Sequence, residues 1–367
     1  MKRVFIHAFL AGNFGDDLMV RILCERYPKV RFYVYADSTY KKAFEDIKNL
    51  KYYAPRDPEV QKWDTFWKKV KHVEGGFYKM LVRTCYATVH IGGSVFVQHF
   101  DDYSAFYNTD AQLRRMSKRM YVTGANFGPY SDENYYRQYH ELLRCYDGIV
   151  FRDTYSRDLF QDLPNVRYAP DVVFNYKAKH LNQAKQKKQV LISVIKLEGR
   201  DNNFPISGYA DVYKNFIKEL SSAYIKLGYS VMYVSFCEMQ QDHLAIEEIR
   251  CMLKEEERKH TDSYSYKGNI EECVKVFSES EIVVGTRFHS IILAELLGKK
   301  FIPIVYDKKT LHTLEDHEVR NAVSLEELEN TDVNEIIYRA ERIEEEKRKK
   351  LILDAEGQFL YLDQIFR

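Results

Sequence analysis

EIVVGTRFHSIILAELLGKKFIPIVYDK, residues 281–308, holds three apolar runs broken at two glycine turns and a closing Tyr-Asp. Ile282 to Val284 stops at Gly285-Thr286, Ile291 to Leu297 at Gly298, and Phe301 to Val305 at Tyr306-Asp307. This spacing predicts a strand, a helix and a strand. Thr286 is expected as the helix N-cap, which puts Arg287 and His289 in the first turn, beside backbone N–H groups without intrahelical partners. The helix from Ser290 to Leu297 is apolar on nearly every side, so it is expected to be buried with only its first turn reaching a cleft. Arg287 offers a fork for a carboxylate or phosphate, and His289 can carry a proton near neutral pH. The alternative is structural: Arg287 paired with an acid such as Glu281, and His289 held by a loop carbonyl. The strand-end position favours a ligand role, because open α/β sheets bind ligands outside the carboxyl ends of their strands.

Working outward, 367 residues exceed one ordinary core and suit two domains. Charged residues at 30% and hydrophobic residues at 45% describe a globular chain. Fifty-five Lys and Arg against 54 Asp and Glu leave no general affinity for polyanions, and no basic stripe supports nucleic-acid binding. Six scattered cysteines without a C-x-x-C pair read as reduced thiols of a cytoplasmic protein. The opening MKRVFIHAFLAGNFGDD reads as a first strand and turn, with no cleavage pattern. No window approaches the ~18 apolar residues of a membrane span.

Alternation of strand and helix recurs along the chain: strands over 4–9, 31–36, 88–91, 120–123 and 148–151, then over 190–194 and 230–236. Helical patterns lie between, as at 16–27, 133–144, 210–227 and 242–257. Asn269 followed by Glu272 resembles a capping box for 270–277. The polar YKAKHLNQAKQKKQ, residues 176–189, is expected to link an N-terminal domain, 1–175, to a C-terminal domain, 190–367. Each is expected to be a Rossmann-like, doubly wound α/β layer, facing a cleft, the second closed by a charged helix over 332–353.

Several loops fall at expected strand ends. GNFGDD, residues 12–17, lacks the third glycine of G-x-G-x-x-G and the lysine of a P-loop and carries two acids, so Asn13 and Asp16 suit hydroxyls or a general base, the alternative being a glycine turn whose carboxylate satisfies the helix dipole. Gly92-Gly93 allows close backbone approach. GANFGPYSD places Asn126 at another turn, VFRDTYSRDLF puts Arg152 at a strand end, and Asp171 in APDVVF could orient a cation.

Together these stretches, with VVGTRFHSIILAELLGKKFIPIVYDKK above all, resemble the polysaccharide pyruvyl transferase family, in order from about residue 4 to residue 309. The resemblance implies a glycosyltransferase-B-like fold, phosphoenolpyruvate as donor, and a sugar with two free hydroxyls as acceptor, in a polysaccharide or its lipid-linked precursor. The product would be a pyruvate ketal. No cofactor and no metal are implied. On this resemblance His289 is the catalytic acid, Arg287 a catalytic and donor-binding residue with Arg152, Lys196 and Thr286, and Asn13, Asp16, Gly92, Gly93, Asn126 and Asp171 line the acceptor side. Two departures stand out. Ile195-Lys196 occupies a place where the family often has an arginine, and Ser94 replaces a glycine. Other readings are a nucleotide-sugar transferase using Glu238 or Glu295, a silent sugar-binding subunit, and a metal site in HTLEDH (His312, Glu315, Asp316, His317), where an exposed polar loop is the better reading of the spacing.

One further stretch, WDTFWKKVK, sets Trp63, Phe66, Trp67 and Val70 on one helical face flanked by Lys68, Lys69 and Lys71. Core packing is the ordinary reading. The functional one is peripheral contact with an anionic membrane carrying a lipid-linked acceptor.

Overall fold

A computed structural model describes residues 1–177, 186–200 and 204–367. The central strands are continuous apolar runs buried at every residue, as in Ala87–Ile91 and Ile282–Gly285, which suits a parallel sheet covered on both faces. Among the described residues, seven strands form one parallel sheet: β1 (Arg3–His7), β2 (Arg31–Tyr35), β3 (Leu50–Tyr53), β4 (Ala87–Ile91), β5 (Met120–Ala125), β6 (Gly148–Phe151) and β7 (Val166–Tyr168). Their order is β3-β2-β1-β4-β5-β6-β7. Six more form a second parallel sheet: β8 (Gln189–Ser193), β9 (Ser230–Ser235), β10 (Thr261–Ser265), β11 (Ile282–Gly285), β12 (Lys300–Val305) and β13 (Val323–Ser324), ordered β10-β9-β8-β11-β12-β13. Both are doubly wound Rossmann orders, and the direction of progression reverses between β1 and β4 in one and between β8 and β11 in the other.

The chain divides into two compact units, each with its own core. The first comprises Met1–Ala11, Asp16–Val172 and Ala355–Arg367; the second comprises Gly12–Gly15 and Val173–Asp354. Three segments thus differ from the division expected at 1–175 and 190–367, the shortest being residues 173–175, which fall in the second unit. The loop after β1 belongs to the second unit, and the C-terminal residues belong to the first. Of the linker expected over 176–189, residues 178–185 lie outside the described residues.

Helix starts follow capping chemistry. Asn269 accepts the Glu272 N–H at 3.1 Å, Asp153 that of Ser156 at 2.7 Å, and Asp307 that of Thr310 at 2.9 Å. The single closing helix expected over 332–353 is two helices, Val333–Ile336 and Glu345–Asp354. Sheet pairing interrupts it: the Phe301 N–H donates to the Glu341 carbonyl at 2.8 Å, and the Asn321 amide donates to the carbonyls of Phe301 and Arg339. Among the described residues, no helix is long and apolar enough to cross a membrane.

On helix Pro58–Lys71 only Val60 is buried, while Trp63, Phe66 and Val70 are 41%, 50% and 54% exposed. Trp67 alone of the aromatic face is tucked in, with the Gly76 backbone against its indole. The core-packing reading therefore fails for three of its four residues.

The C-terminal return into the first unit is held by Arg26 and Tyr27 at Asp363, by Arg26 at Glu356, and by one buried amide. The Gln358 side chain accepts from the Gly124 N–H at 2.8 Å and the Thr123 hydroxyl at 3.1 Å, and donates to the carbonyls of Ala169 at 2.7 Å and Phe151 at 3.3 Å. It thereby satisfies backbone groups at the ends of β5, β6 and β7. Gln358→Ala would strand several of them, and the expected loss is about 3 kcal/mol in chemical denaturation. A loss below about 0.5 kcal/mol would mean that water replaces the amide.

Candidate active site

At the reversal between β8 and β11, the chain leaves β11 through Thr286. Its N–H still bonds the Ser193 carbonyl at 3.4 Å, so this residue remains part of the sheet. Its hydroxyl lies 3.0 Å from the Tyr213 hydroxyl, which also accepts the Ile195 N–H at 3.3 Å. Thr286 is therefore not the cap expected of it. The N-cap is Arg287, with φ −71° and ψ 132°, and the helix runs over Phe288–Leu296 with every residue buried.

Arg287 is nearly sealed, at 6% exposure. Its Nε donates to Asp242 Oδ2 at 3.0 Å and its Nη2 to Asp242 Oδ1, a bidentate pair, while Nη1 donates to Gln240 Oε1. Glu281, the partner suggested by proximity in sequence, instead accepts from the Tyr229 hydroxyl at 3.1 Å. Asp242 opens the helix after β9 and also accepts the Lys196 N–H at 3.2 Å, so it ties the ends of β8, β9 and β11 together. Burial would lower the pKa of Arg287, but the Asp242 charge outweighs it and holds the pKa above the ordinary value.

The sequence reading missed Arg200. Its Nη2 donates at 3.0 Å to the same Gln240 oxygen that Arg287 uses, and its Nε donates to the Lys196 carbonyl at 2.7 Å. Burial, and then the neighbouring Arg287 charge, pull its pKa below the ordinary value. Two guanidiniums thus converge on one amide oxygen, and among the described residues the one carboxylate hydrogen-bonded there is Asp242, on Arg287, so positive charge is in excess. That excess of positive charge is what an anionic ligand would relieve. The Lys196 ammonium donates to Gln241 at 2.6 Å. The signal for Arg200 was present in IKLEGR: an arginine four residues beyond the lysine that stands where an arginine was expected.

His289, in the first turn, is 9% exposed and packs edge-on to Phe288. A Cβ added to Gly15 would fall 1.8 Å from its Nδ1, so the Gly15 backbone lies directly on the imidazole. Gly15 is fixed there by its neighbours. Asn13 Oδ1 accepts the Gly15 N–H at 3.0 Å, Asn13 forms a backbone bridge with Cys237, and the Phe14 N–H donates to the Phe236 carbonyl at 3.1 Å. The Phe14 ring lies tilted 4.8 Å from Phe236 and edge-on 5.4 Å from Tyr266, between ring centroids. Asn13 thus spends its side-chain oxygen on the turn that seats His289.

The first unit gathers four more of the expected residues. Arg152, 2% exposed, donates from Nη1 to Asp171 at 3.0 Å and from Nη2 to Asn126 at 2.9 Å. Gly93 lies against the guanidinium, where a Cβ would meet Nη1 at 2.6 Å, and its carbonyl accepts the Asn126 N–H at 2.9 Å. Arg152 therefore fastens the loops after β4, β5 and β7 to the end of β6. Asp16 lies beside Gly92, 3.6 Å from where a Cβ would be. Of the HTLEDH residues, His317 is buried and meets Glu295 at 2.9 Å. That pairing commits the residues that the alternative readings offered to a ribose, Glu295, and to a metal, His317, and the stretch expected as an exposed polar loop is instead helix Lys308–Asp316 ending at a buried histidine.

Residues 13–308 match the family described as Polysaccharide pyruvyl transferase. The chain belongs to the polysaccharide pyruvyl transferase family. Among solved structures, this family member is similar to Anabaena Alr3699/HepE in complex with UDP-glucose, at TM-score 0.57 and 9% identity, covering 100% of this chain and 98% of that one. It is also similar to a trehalose-6-phosphate synthase studied with bisubstrate glycomimetics, at TM-score 0.52 and 10% identity, covering 99% and 98%. At such identity the likeness is one of fold, and the glycosyltransferase-B-like α/β class expected from the sequence is the class found.

The contact between Gly15 and His289 is directly testable. Gly15→Ala should push the imidazole from its seat, changing the NMR pH titration of His289 while the far-UV dichroism is retained. An unaltered titration would mean that the ring has room to spare.

Proposed function

We propose that this chain transfers the pyruvyl group of phosphoenolpyruvate to two hydroxyls of one sugar, in a polysaccharide or its lipid-linked precursor, forming a ketal and releasing inorganic phosphate. The family supports a transferase. The observation that carries the donor assignment is the pair of guanidiniums, Arg200 and Arg287, sharing Gln240 beside a histidine in the first turn of a helix.

Each step has a matching group. Protonation of the donor's methylene carbon makes C2 electrophilic, and His289 supplies that proton. General acid catalysis of this kind contributes typically ~10² to 10⁴ in rate. One sugar hydroxyl adds to C2, the C2–O bond to phosphate breaks, and the second hydroxyl closes the ketal. Of the two hydroxyl protons, one returns His289 to its starting state and the other leaves with the phosphate as hydrogen phosphate. Arg200 and Arg287 hold the carboxylate and phosphate, with the helix N-terminus adding a smaller share. Lys196 offers a further cation and Thr286 keeps the strand end in place. In the first unit, Arg152, expected at the donor, is instead committed to Asp171 and Asn126, and with them and Gly93 it stiffens the acceptor-side loops, while Asp16 beside Gly92 is the hydroxyl ligand or base. No cofactor enters this scheme.

Phosphoenolpyruvate at a hundred times its dissociation constant should stabilise the protein by ~2.7 kcal/mol in thermal denaturation. Arg200→Ala should abolish that stabilisation without loosening a buried carboxylate. His289→Ala should keep donor binding and lower phosphate release by ~10²-fold or more. Stabilisation by a nucleotide sugar in place of phosphoenolpyruvate would move the assignment to glycosyl transfer.

The same reading places the protein at a bilayer that carries its acceptor. Trp63, Phe66 and Val70 project from helix Pro58–Lys71 with Lys62, Lys68, Lys69 and Lys71 exposed beside them, an apolar and cationic surface suited to anionic lipid. Wild type should co-sediment with anionic vesicles at low salt and be released by salt, and the folded Trp63→Ala, Phe66→Ala variant should not. Failure of wild type to sediment would remove the membrane contact while leaving donor chemistry intact.

A further inference from the structure

Beneath the carboxyl end of the first sheet lies a group of side chains that the pyruvyl-transfer scheme does not use. His7 closes β1 and His90 lies in β4, next to the reversal point. The two are paired in register on adjacent parallel strands, so their side chains leave the same face of the sheet. Their rings are 4.5 Å apart between centroids. Asp110, on helix Ser104–Met116, meets them from the layer above. One potential ligand atom from each of the three lies within 4.8 Å of the others, and His90 Nδ1 is 3.9 Å from Asp110 Oδ1.

That 3.9 Å is too long for a hydrogen bond. His90 is 3% exposed, and its Nδ1 is buried with no hydrogen-bond partner among the described residues. A buried polar atom without a partner costs on the order of 1–3 kcal/mol, which a bound ligand would recover. Asp110 is 5% exposed and, among the described residues, has no lysine or arginine against it. Its other oxygen, Oδ2, accepts the Tyr139 hydroxyl at 2.8 Å, which turns Oδ1 toward His90. Tyr139 is itself wedged between Phe96, at 5.5 Å, and Tyr135, at 4.7 Å.

We infer that His7, His90 and Asp110 form a binding site for a divalent transition-metal ion of the zinc class. Two imidazoles and a carboxylate are ligands that such ions select, and the Tyr139 hydroxyl is the outer hydrogen bond that orients the carboxylate. Ligand atoms on a tetrahedral ion with bonds of about 2.1 Å sit roughly 3.4 Å apart. The present separations close to that by rotation of the side chains, most easily of half-buried His7. Three protein ligands leave one position open, as in sites that exchange a water or a substrate oxygen, whereas a structural zinc site is closed by four.

The test is titration of the chelator-treated full chain with Co²⁺, read by visible d–d absorption, with Zn²⁺ as competitor. Wild type should bind one equivalent saturably, and zinc should displace it. His7→Ala and Asp110→Asn should each abolish the signal, with far-UV dichroism confirming the fold; should Asp110→Asn not fold, His7→Ala at the half-buried strand end decides alone. Tyr139→Phe should weaken binding about 10–100-fold. Cys145→Ser and Cys251→Ser, at exposed thiols, should leave it unchanged. Absence of stoichiometric binding by wild type, or equal binding by His7→Ala, overturns the site.

Discussion

The second unit depends on one buried carboxylate. Asp242 is fully enclosed, yet it receives both arms of Arg287 and the Lys196 N–H, and so joins the loops that leave β8, β9 and β11. A charge pair sealed from water gives little net stability by itself, but breaking it by removing one partner costs about 3–5 kcal/mol. Its value here is geometric. With Asp242 in place the Arg287 fork is locked, Gln240 is held by Arg287, and Arg200 is drawn to the same oxygen. With one guanidinium locked onto the carboxylate and the second bonded to Gln240 and the Lys196 carbonyl, two positive charges stand close to one carboxylate among the described residues, which is how a rigid site can keep appetite for an anion.

The histidine beside this pair is held by a different constraint. No hydrogen bond needs to be invoked to explain why the residue beneath it is glycine, because any side chain at Gly15 would occupy the imidazole's volume. That glycine arrives from the loop after β1, pinned by Phe14 between Phe236 and Tyr266. Arg152 is seated the same way in the first unit, against Gly93. In both cases the ring or fork is positioned by backbone, which cannot rotate away, and the glycines of GNFG and GGS acquire a specific physical reason.

These arrangements were legible in the sequence to different degrees. Central strands such as Ile282–Gly285 and Ala87–Ile91 could be read because burial on both faces makes them continuously apolar. Edge strands could not: Thr261–Ser265 is polar and partly exposed, Val323–Ser324 is two residues long, and neither carries a pattern. The arginine and histidine after β11 were visible, but not the cap, since Thr286 and Arg287 differ only in which still bonds the neighbouring strand. Arg200 with Gln240 and Asp242 required the β8–β11–β9 neighbourhood, which no local spacing encodes. The return of Ala355–Arg367 to the first sheet, and the register that sets His7 beside His90, are likewise long-range pairings. Helical periodicity placed Trp63, Phe66 and Val70 on one face but was silent about whether that face met a core or solvent.

Likeness to a UDP-glucose complex raises the question of why the site should be assigned to a small anion and not to a nucleotide sugar. The carboxylates that the sequence offered for ribose contacts bear on this. Glu295 is wholly buried on the helix Phe288–Leu296 and is committed to His317, so it cannot reach a ribose hydroxyl without leaving its enclosed place beside that histidine. Glu238 is exposed on the loop after β9, with no side-chain hydrogen bond to fix it among the described residues. What the second unit concentrates is positive charge and a proton carrier, Arg200, Arg287 and His289, within the span of three strand ends. A donor that is all anion, with a carboxylate at one end and a phosphate at the other and an enol carbon between them that must accept a proton, uses each of those groups. A nucleotide sugar's diphosphate could also meet the arginines, but its base and ribose find no polar partner in Glu238 or Glu295 and its transfer delivers no proton to carbon, which weighs for the pyruvyl-transfer proposal on a fold that glycosyl transfer also employs.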